Sequence, residues 1–185
     1  MATRARRLYV LIHDATRGGD MPSQMKELQA EHKELVPHIK SLRTTADLVD
    51  DIPVAALTER CEDGLRFLER HLVPHFEAEE SVMYGTVNRL LGSPLATATM
   101  RHDLVEIRSL VEQLREQCRK LESDELFTRD IARAIRRSLY ALHAVASLHV
   151  SKEENVYVPV LERHLSQEEA DELMNRMGVL HVRPT

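Results

Sequence analysis

The chain has 185 residues, enough for one domain that buries ~68–75% of the surface its unfolded form would expose, so a core needs no disulfides or structural metal. Its 25 basic and 30 acidic residues give a net charge of −5 with no large block of one sign, and aromatics make up 4% with no tryptophan. That combination argues against a nucleic-acid or acidic-membrane partner and against a base-stacking surface. Cys61 and Cys118 lie far apart without Cys-x-x-Cys spacing, and the apolar run Leu8–Ile12 is too short for a signal sequence or a membrane span. The expectation is a cytoplasmic protein with free thiols.

Residues 1–22 read as an N-terminal arm whose Arg4, Arg6 and Arg7 are solvated. Asp20 or Ser23 can cap a first helix through "QMKELQAEHKELVPHIKSL". Asp51, with Pro53 in the first turn, opens a second helix that ends at Gly92. Ser93 and Pro94 start a third, "TMRHDLVEIRSLVEQLREQCRKL", and Ser123 with Asp124 and Glu125 starts a fourth that runs toward His164. Ser166 and Glu169 form a capping box for a short fifth, ended by Gly178. With six glycines, seven prolines and no alternating β-branched runs, the chain reads as all-α: an up-down-up-down four-helix bundle over 23–165, built from two helix-pair repeats, plus a C-terminal helix and tail over 166–185. Pro74, Gly85 and Pro159 mark expected kinks in the two longest helices.

The repeat is visible in "HFEAEESVMYG" (75–85) and "HVSKEENVYVP" (149–159), which match at His75 and His149, Glu79 and Glu153, Glu80 and Glu154, and Val82 and Val156. One helix earlier, "EHKEL" around His32 corresponds to "RHDLV" around His102. Residues four apart on a helix share a face, so His75 with Glu79, and His149 with Glu153, point together. Leu68, Leu72, Val82 and Met83 share the face of His75; Leu142, Val145, Val156 and Val160 share that of His149. His32 sits among Met25, Leu28, Leu35 and Ile39, and His102 near Val105 and Leu110. All six polar residues are therefore expected to face inward. Buried carboxylates cost several kcal/mol each unless paired or metal-bound, and inward Glu and His on facing helices are how bundles build di-iron and di-manganese centres. Imidazole with carboxylate and no thiolate favours non-haem iron over manganese or zinc.

At these residues the sequence resembles the hemerythrin-like, or HHE cation-binding, family, over roughly 23–165, and the tail looks like the extra helix that many bacterial members carry. The resemblance implies a carboxylate-bridged pair of irons held by His32, His75, Glu79, His102, His149 and Glu153, and binding of O2, H2O2 or NO. It leaves open peroxide turnover of a catalase-like or peroxidase-like kind, and iron or oxygen sensing or storage without turnover. Glu106, four residues after His102 where oxygen carriers have a histidine, and Glu154, five after His149, are further ligand candidates. On a helix Glu153 lies within ~40° of His149 and Glu154 ~140° away, which favours Glu153, and Glu79 over Glu80 likewise. His71 reads as a core or rim histidine, Tyr157 as a packing residue, and Glu77 as solvent-facing.

Overall fold

The computed structural model describes residues 23–122 and 127–180. Every regular element in them is helical: α1 (Ser23–Leu48), α2 (Val54–Phe67), α3 (Val73–Leu90), α4 (Ala98–Glu122), α5 (Arg129–Lys152), α6 (Val158–His164) and α7 (Gln167–Leu180). A π turn at Leu68–Leu72 joins α2 to α3, and another at Glu153–Tyr157 joins α5 to α6. No strand occurs among the described residues, and none of their helices is long and apolar enough to cross a membrane.

The punctuation in the sequence decides most boundaries, though not always at the residue expected. Asp20 and the 123–125 cap lie outside the described residues; α5 instead starts on Thr128, whose side chain accepts from Ile131 N–H. Pro53 rather than Asp51 occupies the N-cap of α2, where its fixed φ suits the turn into the helix. Gly92 follows α3 at φ +63°, the left-handed conformation that suits glycine. The third helix begins at Ala98, not Pro94, because Asn88 Oδ1 accepts from both Thr97 N–H (3.1 Å) and Thr97 Oγ1 (3.2 Å) and holds an extra turn ahead of it. The Ser166–Glu169 box forms: Ser166 N–H donates to Glu169 Oε2 at 2.9 Å and Glu169 N–H to Ser166 Oγ at 3.3 Å. The helix it opens runs past Gly178 to Leu180.

Gly85 causes no break and lies within α3. The helix irregularities sit instead just before Pro74 and Pro159, whereas Pro37 lies inside α1. In an α-helix Pro74 would clash with the carbonyl four residues back and could not donate to it. The chain takes one wider turn, Val73 N–H reaching Leu68 O, and passes the proline in register; Val158 N–H reaches Glu153 O ahead of Pro159 in the same way.

The long segments pack as a helical bundle, with α5 against both α1 and α4, α2 against α1 and α4, and α7 laid over α3 and α1. The interior divides into two apolar clusters. One contains Ile39, Leu42, Leu72, Phe76, Leu104, Ile107, Leu142, Ala146 and Val150; the other contains Met25, Leu28, Val82, Met83, Tyr84, Met100, Tyr157 and the inward residues of α7. On α1 the change of cluster falls between Leu28 and Ile39, on α3 between Phe76 and Val82, on α4 between Met100 and Leu104, and on the fifth segment between Val150 and Tyr157. His32, Glu79 and Glu153 lie within those intervals, with His75 and His149 one residue from their edges, and the five make a layer of imidazoles and carboxylates.

Candidate metal centre

Four helical segments contribute to the layer. His32 comes from α1, His75 and Glu79 from α3, His149 from α5, and Glu153 is the first residue of the second π turn. All five are buried, Glu79, His149 and Glu153 completely. Because His75 and Glu79, and His149 and Glu153, stand one regular α turn apart, each pair points the same way; the π turn begins only at Glu153 and leaves the second pair undisturbed.

His32 Nε2 lies 3.1 Å from Glu79 Oε1 and 3.7 Å from Glu153 Oε2; His75 Nε2 is 3.1 Å from Glu79 Oε1, and His149 Nε2 is 3.4 Å from Glu153 Oε1. Two triads result, His32–His75–Glu79 and Glu79–His149–Glu153, in each of which one potential ligand atom per residue lies within 4.8 Å of the others. Glu79 belongs to both. Glu79 Oε2 and Glu153 Oε2 are buried with no hydrogen-bond partner among the described residues. An unpaired buried carboxylate oxygen is costly, and two at one place are satisfied together by a cation.

Each imidazole is held from behind. His32 Nδ1–H donates to Glu154 Oε1 at 2.6 Å, His149 Nδ1–H to Asp103 Oδ2 at 3.3 Å, and His75 Nδ1 faces Glu31 Oε2 at 3.5 Å. A carboxylate on Nδ1 fixes the tautomer, turns Nε2 toward the centre and raises its basicity, the arrangement typical of metal-ligating histidine. Tyr84 Oη completes the inner surface, 3.1 Å from His149 Nε2 and 3.2 Å from Glu153 Oε1. Phe76, on the same side of α3, packs on the His149 ring with centroids 4.1 Å apart.

The electrostatics follow from burial in competition with this charge. Burial opposes protonation of His32 and His75, but Glu154 and Glu79 outweigh it and raise His32 to about 10, while Glu79 with Glu31 raises His75 to about 9. Glu79, despite its burial, is held far below the usual carboxylate range by His75 and His32. Glu153 goes the other way, to about 7, because burial and the charge on Glu79 both disfavour a second carboxylate beside it. Burial, then the charges of Glu153 and Glu79, push the Tyr84 phenol well above its ordinary range.

Of the six residues that the repeat nominates, five meet here and His102 does not. It is exposed on α4, as is Glu106. The level along the helix is right but the side is wrong: α4 buries Met100, Leu104, Ile107 and Val111, and His102 stands two residues, ~200°, from both Met100 and Leu104. Val105, read from sequence as part of an apolar stripe with His102, is 62% exposed. The neighbouring Asp103 turns inward and meets His149. Glu154 contacts His32 from outside the triads, Glu80 pairs with Arg101 at 3.4 Å, and Tyr157 Oη donates to Ala96 O at 2.9 Å. His71 stacks beside Phe67, centroids 6.4 Å apart, away from the layer.

Glu31, Asp103 and Tyr84 are the site residues that motif spacing missed. The two acids are adjacent in sequence to histidines they do not serve: Glu31 precedes His32 but faces His75, and Asp103 follows His102 but faces His149. Tyr84 reaches His149 and Glu153 across the bundle, a contact that spacing within its own helix does not encode.

An all-helical chain with a buried layer of imidazoles and carboxylates, divided into two triads that share one glutamate, defines a cation-binding helical protein. The chain belongs to the hemerythrin HHE cation-binding domain family, whose sequence model matches residues 6–87 and 23–133. Neither match reaches His149 or Glu153, so the second triad rests on geometry. Comparison with curated proteins and with solved structures returned no match.

Proposed function

We propose that the chain is a non-haem di-iron protein that binds O2-derived small molecules and turns over peroxide, with His32, His75, Glu79, His149 and Glu153 as iron ligands and Glu79 as a bridge. The observation that carries this reading is the pair of buried carboxylate oxygens, on Glu79 and Glu153, without a hydrogen-bond partner among the described residues, in two triads with three imidazoles whose Nδ1 sides face carboxylates. Nitrogen and oxygen donors without thiolate suit iron, then manganese or zinc. The up-down-up-down order of the four long segments is the topology that would bring both motif pairs to one level. A bound pair of irons would supply the electrons and open positions for reducing peroxide.

The chain's own residues have separate tasks in this reading. Glu154, Glu31 and Asp103 hold the imidazoles in the orientation that presents Nε2. Phe76 and the two apolar clusters exclude water from the layer, which strengthens every charge interaction inside it. Carboxylates behind all three imidazoles would make a more electron-donating set than imidazoles without them. Such a set favours the ferric state and hence redox turnover over reversible oxygen carriage. Catalase-like turnover converts two molecules of H2O2 into O2 and two of water, and needs no outside reductant.

Metal analysis, the absorption spectrum and O2 release from peroxide test the proposal together. Two irons per chain, near-ultraviolet oxo-to-iron absorption and steady O2 release are expected; a colourless zinc protein, or one without metal, would overturn it. A sensor or storage role is favoured by one observation: the outer hydrogen bonds tie α1 to the second π turn and α4 to α5, so occupancy couples to the closure of the bundle. Two bound irons without turnover, together with iron-dependent resistance to proteolysis, would select that role.

A further inference from the structure

The two triads differ. One offers two imidazoles and Glu79; the other offers one imidazole, Glu79 and Glu153. The residue that sequence symmetry nominates to balance the second, His102, is exposed, and the space beside His149 Nε2 is taken by the Tyr84 hydroxyl. Resting on the metal-centre reading above, we propose that Tyr84 is itself a metal ligand, its phenol oxygen completing the His149–Glu153 position so that the two positions carry chemically different donor sets.

The distances support coordination. Ligand atoms at right angles about an ion, each at a typical ~2.1 Å, lie ~3 Å from one another. Tyr84 Oη is 3.1 Å from His149 Nε2 and 3.2 Å from Glu153 Oε1, the same spacing that Glu79 Oε1 keeps from His32 and His75 Nε2, 3.1 Å each. An ion touching His149 and Glu153 is thus within reach of the phenol oxygen.

Hydrogen-bond accounting points the same way. His149 Nδ1 faces Asp103, which leaves its Nε2 toward the Tyr84 hydroxyl beside Glu153 Oε1. The Tyr84 hydroxyl faces both and has one proton. Glu153 Oε2 has no hydrogen-bond partner among the described residues. A cation at the junction would serve the nitrogen, the carboxylate and the phenol oxygen at once. Coordination as phenolate releases that proton to solvent. The Arg101 guanidinium, 6.0 Å over the Tyr84 ring, stabilises the added electron density. Tyr84 reaches this position from α3, packed in the apolar cluster that contains Met83 and Tyr157, so the hydroxyl is held rather than swinging.

Ferric loading of the full chain, followed by iron analysis, visible absorption and resonance Raman spectroscopy, tests the assignment without reference to turnover. The expected result is two irons per chain with tyrosinate vibrations enhanced by excitation into a visible phenolate-to-iron band. Those vibrations should vanish in Tyr84→Phe and persist in Tyr157→Phe, whose hydroxyl is engaged with Ala96 O. Full iron content without tyrosinate vibrations, or vibrations that survive Tyr84→Phe, overturns the assignment and leaves the metal centre standing. Absence of bound iron overturns both.

Discussion

Replacing Glu154 by glutamine removes the charge behind His32 and keeps the size of the side chain and one acceptor oxygen. Of the three carboxylates that orient imidazoles, Glu154 approaches its histidine most closely, at 2.6 Å, against 3.3 Å for Asp103 and 3.5 Å for Glu31. Removing an outer partner of a ligating histidine costs ~10–100-fold in metal affinity, or ~1.4–2.7 kcal/mol. Glu154 should approach the upper end, since its side chain is only 28% exposed and His32 touches both inner glutamates. Asp103→Asn should cost less, because Lys152 at 2.6 Å already neutralises part of that charge. Glu31→Gln should fall at or below ~10-fold, its carboxylate being 42% exposed and its distance the longest. Competition with a chromophoric chelator for zinc, which is redox-silent, measures the series at fixed pH and ionic strength. An unchanged affinity in Glu154→Gln, or a larger decrease in Glu31→Gln, would refute the argument that the outer carboxylates tune the centre through the imidazoles.

Three further outcomes follow from the same geometry. His149→Ala should abolish binding at one of two positions, whereas His102→Ala should leave the metal-to-chain ratio unchanged, as read by elemental analysis after gel filtration. In the metal-free protein His32 and His75 have folded pKa values above the free 6.5, at about 10 and 9. The stability they contribute is complete below 6.5 and is lost as pH rises through 9–10, so the melting temperature should fall across that window; metal binding at neutral pH must displace these protons, which calorimetry in buffers of different ionisation heat would detect. Phe76→Ala removes a fully buried ring packed on His149 and should destabilise the protein by ~3–5 kcal/mol in denaturant titration.

The part of the site that could be read from the sequence is the part that depends on one helix at a time. His75 with Glu79, and His149 with Glu153, follow from four-residue spacing on an apolar face. His32 follows from Met25, Leu28 and Ile39, all buried as expected. His102 failed because a helix of mixed composition supports two readings of its inner face, and Val105 lent weight to the wrong one; only packing against α2, α3 and α5 decides between them. Glu31, Asp103 and Tyr84 act across helices, on His75, His149 and Glu153, and no spacing within one segment encodes such a contact. The prolines announced that the long helices would deviate, but not that each would absorb the disturbance in a single wide turn.

Those wide turns bear on descent. A π turn is what a helix makes of one residue too many, so each marks a place where the chain could take an insertion without rotating the helix on either side. In the first half the extra residue lies before His75, at 68–72; in the second it lies after His149, at 153–157. A copying event that carried a finished half across would have placed both at the same distance from the histidine. The halves share the spacing of their His–Glu pairs and not the position of their π turns. Deleting one residue from 68–72 together with Pro74→Ala should therefore yield a plain α-helix that still presents His75 and Glu79 to the layer.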